Sequence, residues 1–257
     1  MRAIVAGLIS LIALACGQSK QDKNLEPAIE AQDEIVLPHP IQLDTSIIDT
    51  VSVKGALEQR LIDAGLVDLQ MAIPGILVDL RYSTSNNFFG KDVYGELDKA
   101  YIQPVVAEML KKAQLALEQQ NPSLTFLVFD GVRPQSVQQI LWDELDKPEK
   151  VKPLYVADPK KGSLHNFGVA VDLTIADRSS GKPLDMGTDF DFFGYPAYPD
   201  REAQMLKEGK INLQQIDNRE LLREVMKEAG FKGIGSEWWH FNAFSRKIAS
   251  EKFEIVK

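Results

Sequence analysis

At 257 residues with 44% hydrophobic content, the chain can bury one good core, and nothing in its composition calls for a second. A net charge of −8 and a pI near 5.0 argue against a nucleic-acid partner, whose phosphates ask for a basic surface. Beyond the N-terminal fifteen residues, no stretch is apolar over the length that a membrane span needs.

The N-terminus reads as a secretory signal: Arg2 is a minimal positive region, Ala3 to Leu14 is apolar, and Ala15 precedes Cys16 at the cleavage point. Cys16, the only cysteine in the chain, stands where a bacterial lipoprotein signal carries the residue that receives lipid and becomes the new N-terminus. Leu14 lies one place later than the usual lipoprotein pattern, so an ordinary signal peptide with a free cysteine nearby is the alternative. On the lipoprotein reading, residues 1–15 are removed and Cys16 is the lipidation site. The protein is then exported to the periplasmic side of a bacterial membrane, with the lipid as its only membrane attachment. Gly17 offers no acidic retention signal, which favours the outer membrane. Residues 16–46 are polar and interrupted by Pro27, Pro38 and Pro40, the composition of a tether. His39 lies within it.

The domain itself is assigned to residues 47–257. Leu57, Leu61 and Ile62 suggest a helix over Val53 to Ala64, ended near Gly65. Val67 to Met71 and Ile76 to Tyr82 read as strands divided by Pro74-Gly75, a turn signal, and Ser83 to Asn87 reads as a polar loop. Pro104 suits a first helical position. Behind it Val105, Val106, Met109, Leu110, Ala113 and Leu117 form an apolar stripe against Lys111, Lys112, Gln114 and Glu118. Leu124 to Phe129 is short and almost wholly apolar, as a central buried strand is. It delivers Asp130 and Arg133 at its far end, and Pro134 opens a helix through Val137, Ile140, Leu141 and Leu145.

Gly168 to Asp172 reads as a short strand, with Val169, Val171 and Leu173 facing the core and Gly168 and Ala170 clearing space beside the Asp172 carboxylate. His165 sits on the turn that enters it. Asp177 to Lys182 is a turn, and Asn218 caps a helix through Leu221, Leu222, Val225 and Met226 that ends at Gly230, with Phe231 as the apolar residue beyond. Strands and helices mix without regular βαβ alternation, which points to an α+β domain: a mainly antiparallel central sheet flanked by helices.

Only three histidines occur, and two of them, His165 and His240, stand in chemically dense stretches, Ser163 to Asp172 and Glu237-Trp-Trp-His240. A catalytic zinc takes three protein ligands and leaves a fourth position for water. His165, Asp172 and His240 supply such a set, with Glu237 left over as a base. Residues three apart on a flat strand would point to opposite faces, so the chain must turn or bulge between Glu237 and His240. Arg133, always charged and geometrically rigid, is the candidate for stabilising an oxyanion. Trp238 and Trp239 read as packing that shields the site.

Ser163-x-His165-x-x-Gly168-x-Ala170-x-Asp172 followed by Glu237-Trp-Trp-His240 resembles the D-alanyl-D-alanine dipeptidases, the VanX-type branch of the zinc D-Ala-D-Ala peptidases. Asp79-Leu-Arg-Tyr-Ser-Thr84, Asn86-Asn-Phe88, Tyr94-Gly95, Asp130-Gly-Val-Arg-Pro134 and Met186-Gly-Thr-Asp-Phe-Asp-Phe192 match the same branch in order, so the likeness runs over roughly residues 70 to 245. It implies the D-Ala-D-Ala peptidase (hedgehog-like) fold and one Zn2+ per chain. The implied reaction is hydrolysis of the free dipeptide to two D-alanine, in cell-wall peptide turnover or glycopeptide resistance. It also implies Glu237 and Arg133 as catalytic residues and a substrate-binding set of Asp191, Ser163 and Asp130, with Asp191 as the clamp on the amino end. The alternatives are a zinc D,D-carboxypeptidase or endopeptidase acting on peptidoglycan peptides, and a metal-holding cell-wall binding module without turnover.

Overall fold

A computed structural model of the chain describes residues 55–257. The signal segment with Cys16, the tether with His39 and the first residues assigned to the domain lie outside the described residues. Among the described residues, no helix is long and apolar enough to cross a membrane.

The domain opens with helix α1 (Ala56–Asp63), which buries Leu61 and Glu58. The expected strand at Val67 to Met71 is cut short. β1 is only Val67–Asp68, because the Asp68 carboxylate accepts the Gln70 N–H at 2.9 Å and caps a helical turn, α2 (Leu69–Ala72). Likewise β2 is Leu77–Val78 rather than Ile76 to Tyr82. After Asp79 N–H bonds to Val128 O, the chain turns through Arg81–Ser83 and drives Tyr82 into the interior. β3 (Tyr101–Ile102) pairs antiparallel with β1.

Helix α3 (Pro104–Gln120) starts at its proline as expected, but its buried face is rotated from the apolar stripe. Val105 is 45% exposed, whereas Gln114, read as polar-side, is buried. Its amide accepts the Phe126 N–H (3.0 Å) and donates to Thr125 Oγ1 (3.2 Å), so it serves the sheet below. β4 (Leu124–Asp130) is buried at all seven positions. α4 (Gln135–Glu144) buries Val137, Gln138 and Leu141 and leaves Ile140 exposed. β5 (Ala170–Asp177) is longer than the expected strand and buried on both faces. α5 (Glu202–Lys207) precedes α6 (Leu213–Glu228).

The cap of α6 is Asn212, not Asn218: Asn212 and Gln215 exchange side-chain and backbone bonds in a capping box, and Asn218 lies inside the helix. Its carboxyl end is as expected, with Gly230 at φ 96° and Phe231 buried. β6 (Lys232–Gly233), β7 (His240–Asn242) and α7 (Arg246–Lys252) complete the chain.

Five strands form one sheet in the order β2-β4-β5-β7-β6, in which only β2–β4 is parallel, so the mainly antiparallel expectation holds. Helices α3 and α6 pack on it and on each other. The register sets out the chemistry: Asp130 lies opposite Asp172, and Asp172 opposite His240, so one row across three neighbouring strands carries three ionisable side chains.

Candidate active site

Asp172 and His240 are cross-strand partners, and residues directly opposite on a ladder project from the same face. His165 comes from the short helical turn His165–Phe167 that leads into β5. That turn ends at Gly168 with φ 67°, the left-handed conformation that favours glycine, and an added Cβ would also press on the Leu66 side chain at 3.0 Å. Glu237 stands before β7, on the turn that the spacing to His240 demanded.

Three atoms converge. His165 Nε2 is 3.1 Å from His240 Nδ1 and 3.4 Å from Asp172 Oδ1, and His240 Nδ1 is 2.9 Å from the same Oδ1. Tetrahedral zinc with bonds of roughly 2.0–2.2 Å separates its ligand atoms by about 3.3 Å or a little more, so this triangle fits such an ion after opening by a few tenths of an ångström. Both rings are held by their outer nitrogens. His165 Nδ1 donates to Gly131 O at 2.7 Å, and His240 Nε2 lies 2.9 Å from Asn242 Oδ1. Gly131 itself admits no side chain, since a Cβ would be 2.6 Å from Tyr101 O.

Charge follows the same geometry. Burial alone would raise the Asp172 pKa, but the two histidines hold it well below the ordinary carboxylate value. Burial likewise opposes a charged His240, yet its bond to Asp172 pushes its pKa up to about 9. Glu237 Oε2 is 4.0 Å from His240 Nδ1, and burial, then Asp172, raise its pKa. A carboxyl raised in this way is a better proton acceptor near neutrality.

Arg133 follows β4 and is held from several sides. Its Nε and Nη2 donate to Asp130 Oδ2 at 2.9 and 2.6 Å, its guanidinium lies 4.6 Å over the Tyr82 ring, and Nη2 is 3.7 Å from Asp172 Oδ2. Asp130 itself has no exposed surface, and it also accepts from Tyr94 OH at 2.7 Å. Its carboxylate therefore fixes Arg133, and Asp130 does not line the cavity that holds the other site residues.

Ser163 Oγ accepts the His165 N–H at 3.0 Å, so this side chain shapes the metal turn as well as lining the cavity. Asp191 sits at the cavity wall with φ 61°, a left-handed conformation uncommon for a side-chain-bearing residue, and accepts from Tyr82 OH at 3.1 Å. Burial, followed by Asp172, raises its pKa well above the ordinary value.

Sequence reasoning missed Tyr82, Tyr94, Gln138 and Arg219. The first two lie inside matched motifs. Gln138 lies 3.4 Å from the Arg133 guanidinium, and nothing in an amphipathic helix pattern marks it. Arg219 is wholly buried and donates to Met186 O (2.6 Å) and Pro196 O (2.9 Å), the two ends of the segment that carries Asp191. Trp238 and Trp239 are buried packing, as expected.

The cavity that joins Arg133, Ser163, Asp191, Glu237 and the metal set holds about 130 Å³. Pockets for drug-sized ligands measure roughly 300–1,000 Å³, so this space suits a smaller molecule. A larger cleft of about 860 Å³ contains none of the three metal-set residues.

Two imidazoles and a carboxylate with an open side, an acid beside them and a clamped arginine define a metallohydrolase centre. The chain belongs to the D-ala-D-ala dipeptidase family Peptidase_M15, whose model matches residues 62–257. It is similar to the D-alanyl-D-alanine dipeptidase of Escherichia coli, 32% identical over 191 residues that cover 73% of this chain and 91% of that one. The enzyme of the same name from Enterococcus faecium is 29% identical, covering 70% and 91%, and that from Enterococcus faecalis is 28% identical, covering 75% and 98%.

Proposed function

We infer that this chain is a zinc metallopeptidase that hydrolyses D-Ala-D-Ala to two D-alanine, with one zinc held by His165, Asp172 and His240. The observation that carries the reading is the ligand triangle of 2.9–3.4 Å with Glu237 and Arg133 at its open side. When bound there, zinc would activate water and polarise the scissile carbonyl. Glu237 takes the proton of the attacking water and passes it to the leaving amine, a task its raised pKa favours. Arg133, pre-set by Asp130 and Tyr82, faces the oxygen on which negative charge develops, so no reorganisation is needed during the step. Asp191 pairs with the free ammonium of the dipeptide, with Ser163 on the same cavity wall. Burial by itself favours the neutral acid at Asp191, and the free ammonium is what stabilises its ionised form, so a substrate with a blocked amino end finds no such partner and is rejected.

The test is zinc quantitation on the purified full-length protein with parallel kinetics on D-Ala-D-Ala and its N-acetyl form. One zinc per chain, fast turnover of the free dipeptide and very slow turnover of the blocked one are expected, with that discrimination lost in Asp191→Ala. Equal kcat/KM for the two substrates would overturn the dipeptidase reading in favour of a carboxypeptidase. Export and lipid anchoring through Cys16 complete the proposal, supported by the N-terminal signal pattern. Cys16→Ser should then release the protein from the membrane fraction, and continued retention would refute it.

A further inference from the structure

The two imidazoles of the metal set are aimed by acceptors of different kinds. His165 leans on the Gly131 carbonyl, a backbone group that no side-chain change removes. His240 leans on a side chain, the Asn242 amide, at 2.9 Å. Residues two apart on a strand share a face, so Asn242 stands beside His240 on β7. Its register partner on β5 is Ala170, a small residue.

We propose that Asn242 is a positioning residue that locks His240 in the tautomer with its proton on Nε2 and its lone pair on Nδ1, aimed at the metal. This rests on the zinc reading above. An imidazole that ligates through Nδ1 must carry hydrogen on Nε2, and that hydrogen needs an acceptor. The amide oxygen provides one. Turned about, the amide would present N–H donors and favour the wrong tautomer. The acceptor is also neutral. Asp172, Glu237 and Asp191 already bring three carboxyls to the cavity, and a fourth at this place would make His240 a stronger donor to the metal and lessen its Lewis acidity.

The experiment compares the full-length protein with Asn242→Leu, of similar size without an acceptor, and Asn242→Asp, which keeps one. Zinc Kd is measured by chelator competition, and ring nitrogen NMR of the zinc-loaded protein reports which His240 nitrogen carries the proton. Asn242→Leu should bind zinc about 10- to 100-fold more weakly. Asn242→Asp should bind at least as tightly as the unaltered chain, and His240 should carry its proton on Nε2. The Asp variant guards against a folding defect, because a merely structural role for the amide would not be rescued by a charge. Zinc affinity in Asn242→Leu within twofold of the unaltered chain, or equal weakness in both variants, would overturn the inference alone. Failure of the unaltered chain to bind zinc would overturn the zinc reading and this inference with it.

Discussion

Freed of metal, the folded protein should lose stability as pH climbs through the range in which His240 gives up its proton. In the fold this pKa is raised from 6.5 to about 9: burial opposes the charge, but Asp172 and then Glu237 outweigh it. A histidine whose folded pKa is raised stabilises the fold through its protonated form. The contribution is therefore complete below pH 6.5 and gone once the pH passes about 9. That interval of about 2.5 in pH, at roughly 1.4 kcal/mol each, gives about 3 kcal/mol. For a domain of roughly 200 residues, where about 1 kcal/mol moves Tm by roughly 2–4 °C, the fall is about 10 °C. Asp191 and Glu237 act in the same direction, since raised carboxyl pKa values also mean that ionisation on the way up costs the folded state. The His240 share is isolated by comparison with His240→Gln. Urea unfolding in the presence of chelator, at pH 6, 7, 8 and 9, measures both proteins. Stability curves that run parallel from pH 6.5 to 9 would refute the coupling. The same proton must leave before zinc can bind, so zinc affinity should rise over the range in which metal-free stability falls.

Glu237→Gln should keep its zinc but lose at least about a hundredfold in kcat, the scale of a lost acid–base group, and near-normal turnover would assign the proton transfer elsewhere. Arg219→Lys keeps the charge but cannot span Met186 O and Pro196 O, so the Asp191 segment loosens. A weakening of the Asp191–ammonium contact by about 1.4 kcal/mol, about a tenfold rise in KM for the free dipeptide, is expected at unchanged zinc content. An unchanged KM would show that Asp191 is held by Tyr82 alone.

Much of the site was written in short range. The spacing from Ser163 to Asp172 places a histidine on a turn and a carboxylate on the strand that follows, and the stretch from Glu237 to His240 forces a turn between acid and ligand. Both features survive folding because they depend on local backbone geometry. The central strand β4 and the start of α3 at Pro104 were equally plain, since an unbroken apolar run and a proline at a first helical position each have few other uses.

What the sequence determined by itself was therefore the inventory: an α+β domain, two histidines and a carboxylate able to hold a metal, an acid and an arginine. Only the tertiary structure decided how the inventory is held. Asp130 was read as a substrate contact; the fold buries it at the end of β4, where its carboxylate accepts from Arg133, Tyr94 and the Gly131 N–H. Gln114 looked like surface and is a hydrogen-bond partner for the sheet, because the rotation of α3 about its axis is set by what it packs against. His240 meets Asp172 across 68 residues of chain, and Arg219 reaches Met186 across 33. No local pattern encodes such pairings: they follow from strand register and from the need to satisfy every buried polar group, conditions that exist only once the distant parts of the chain are together.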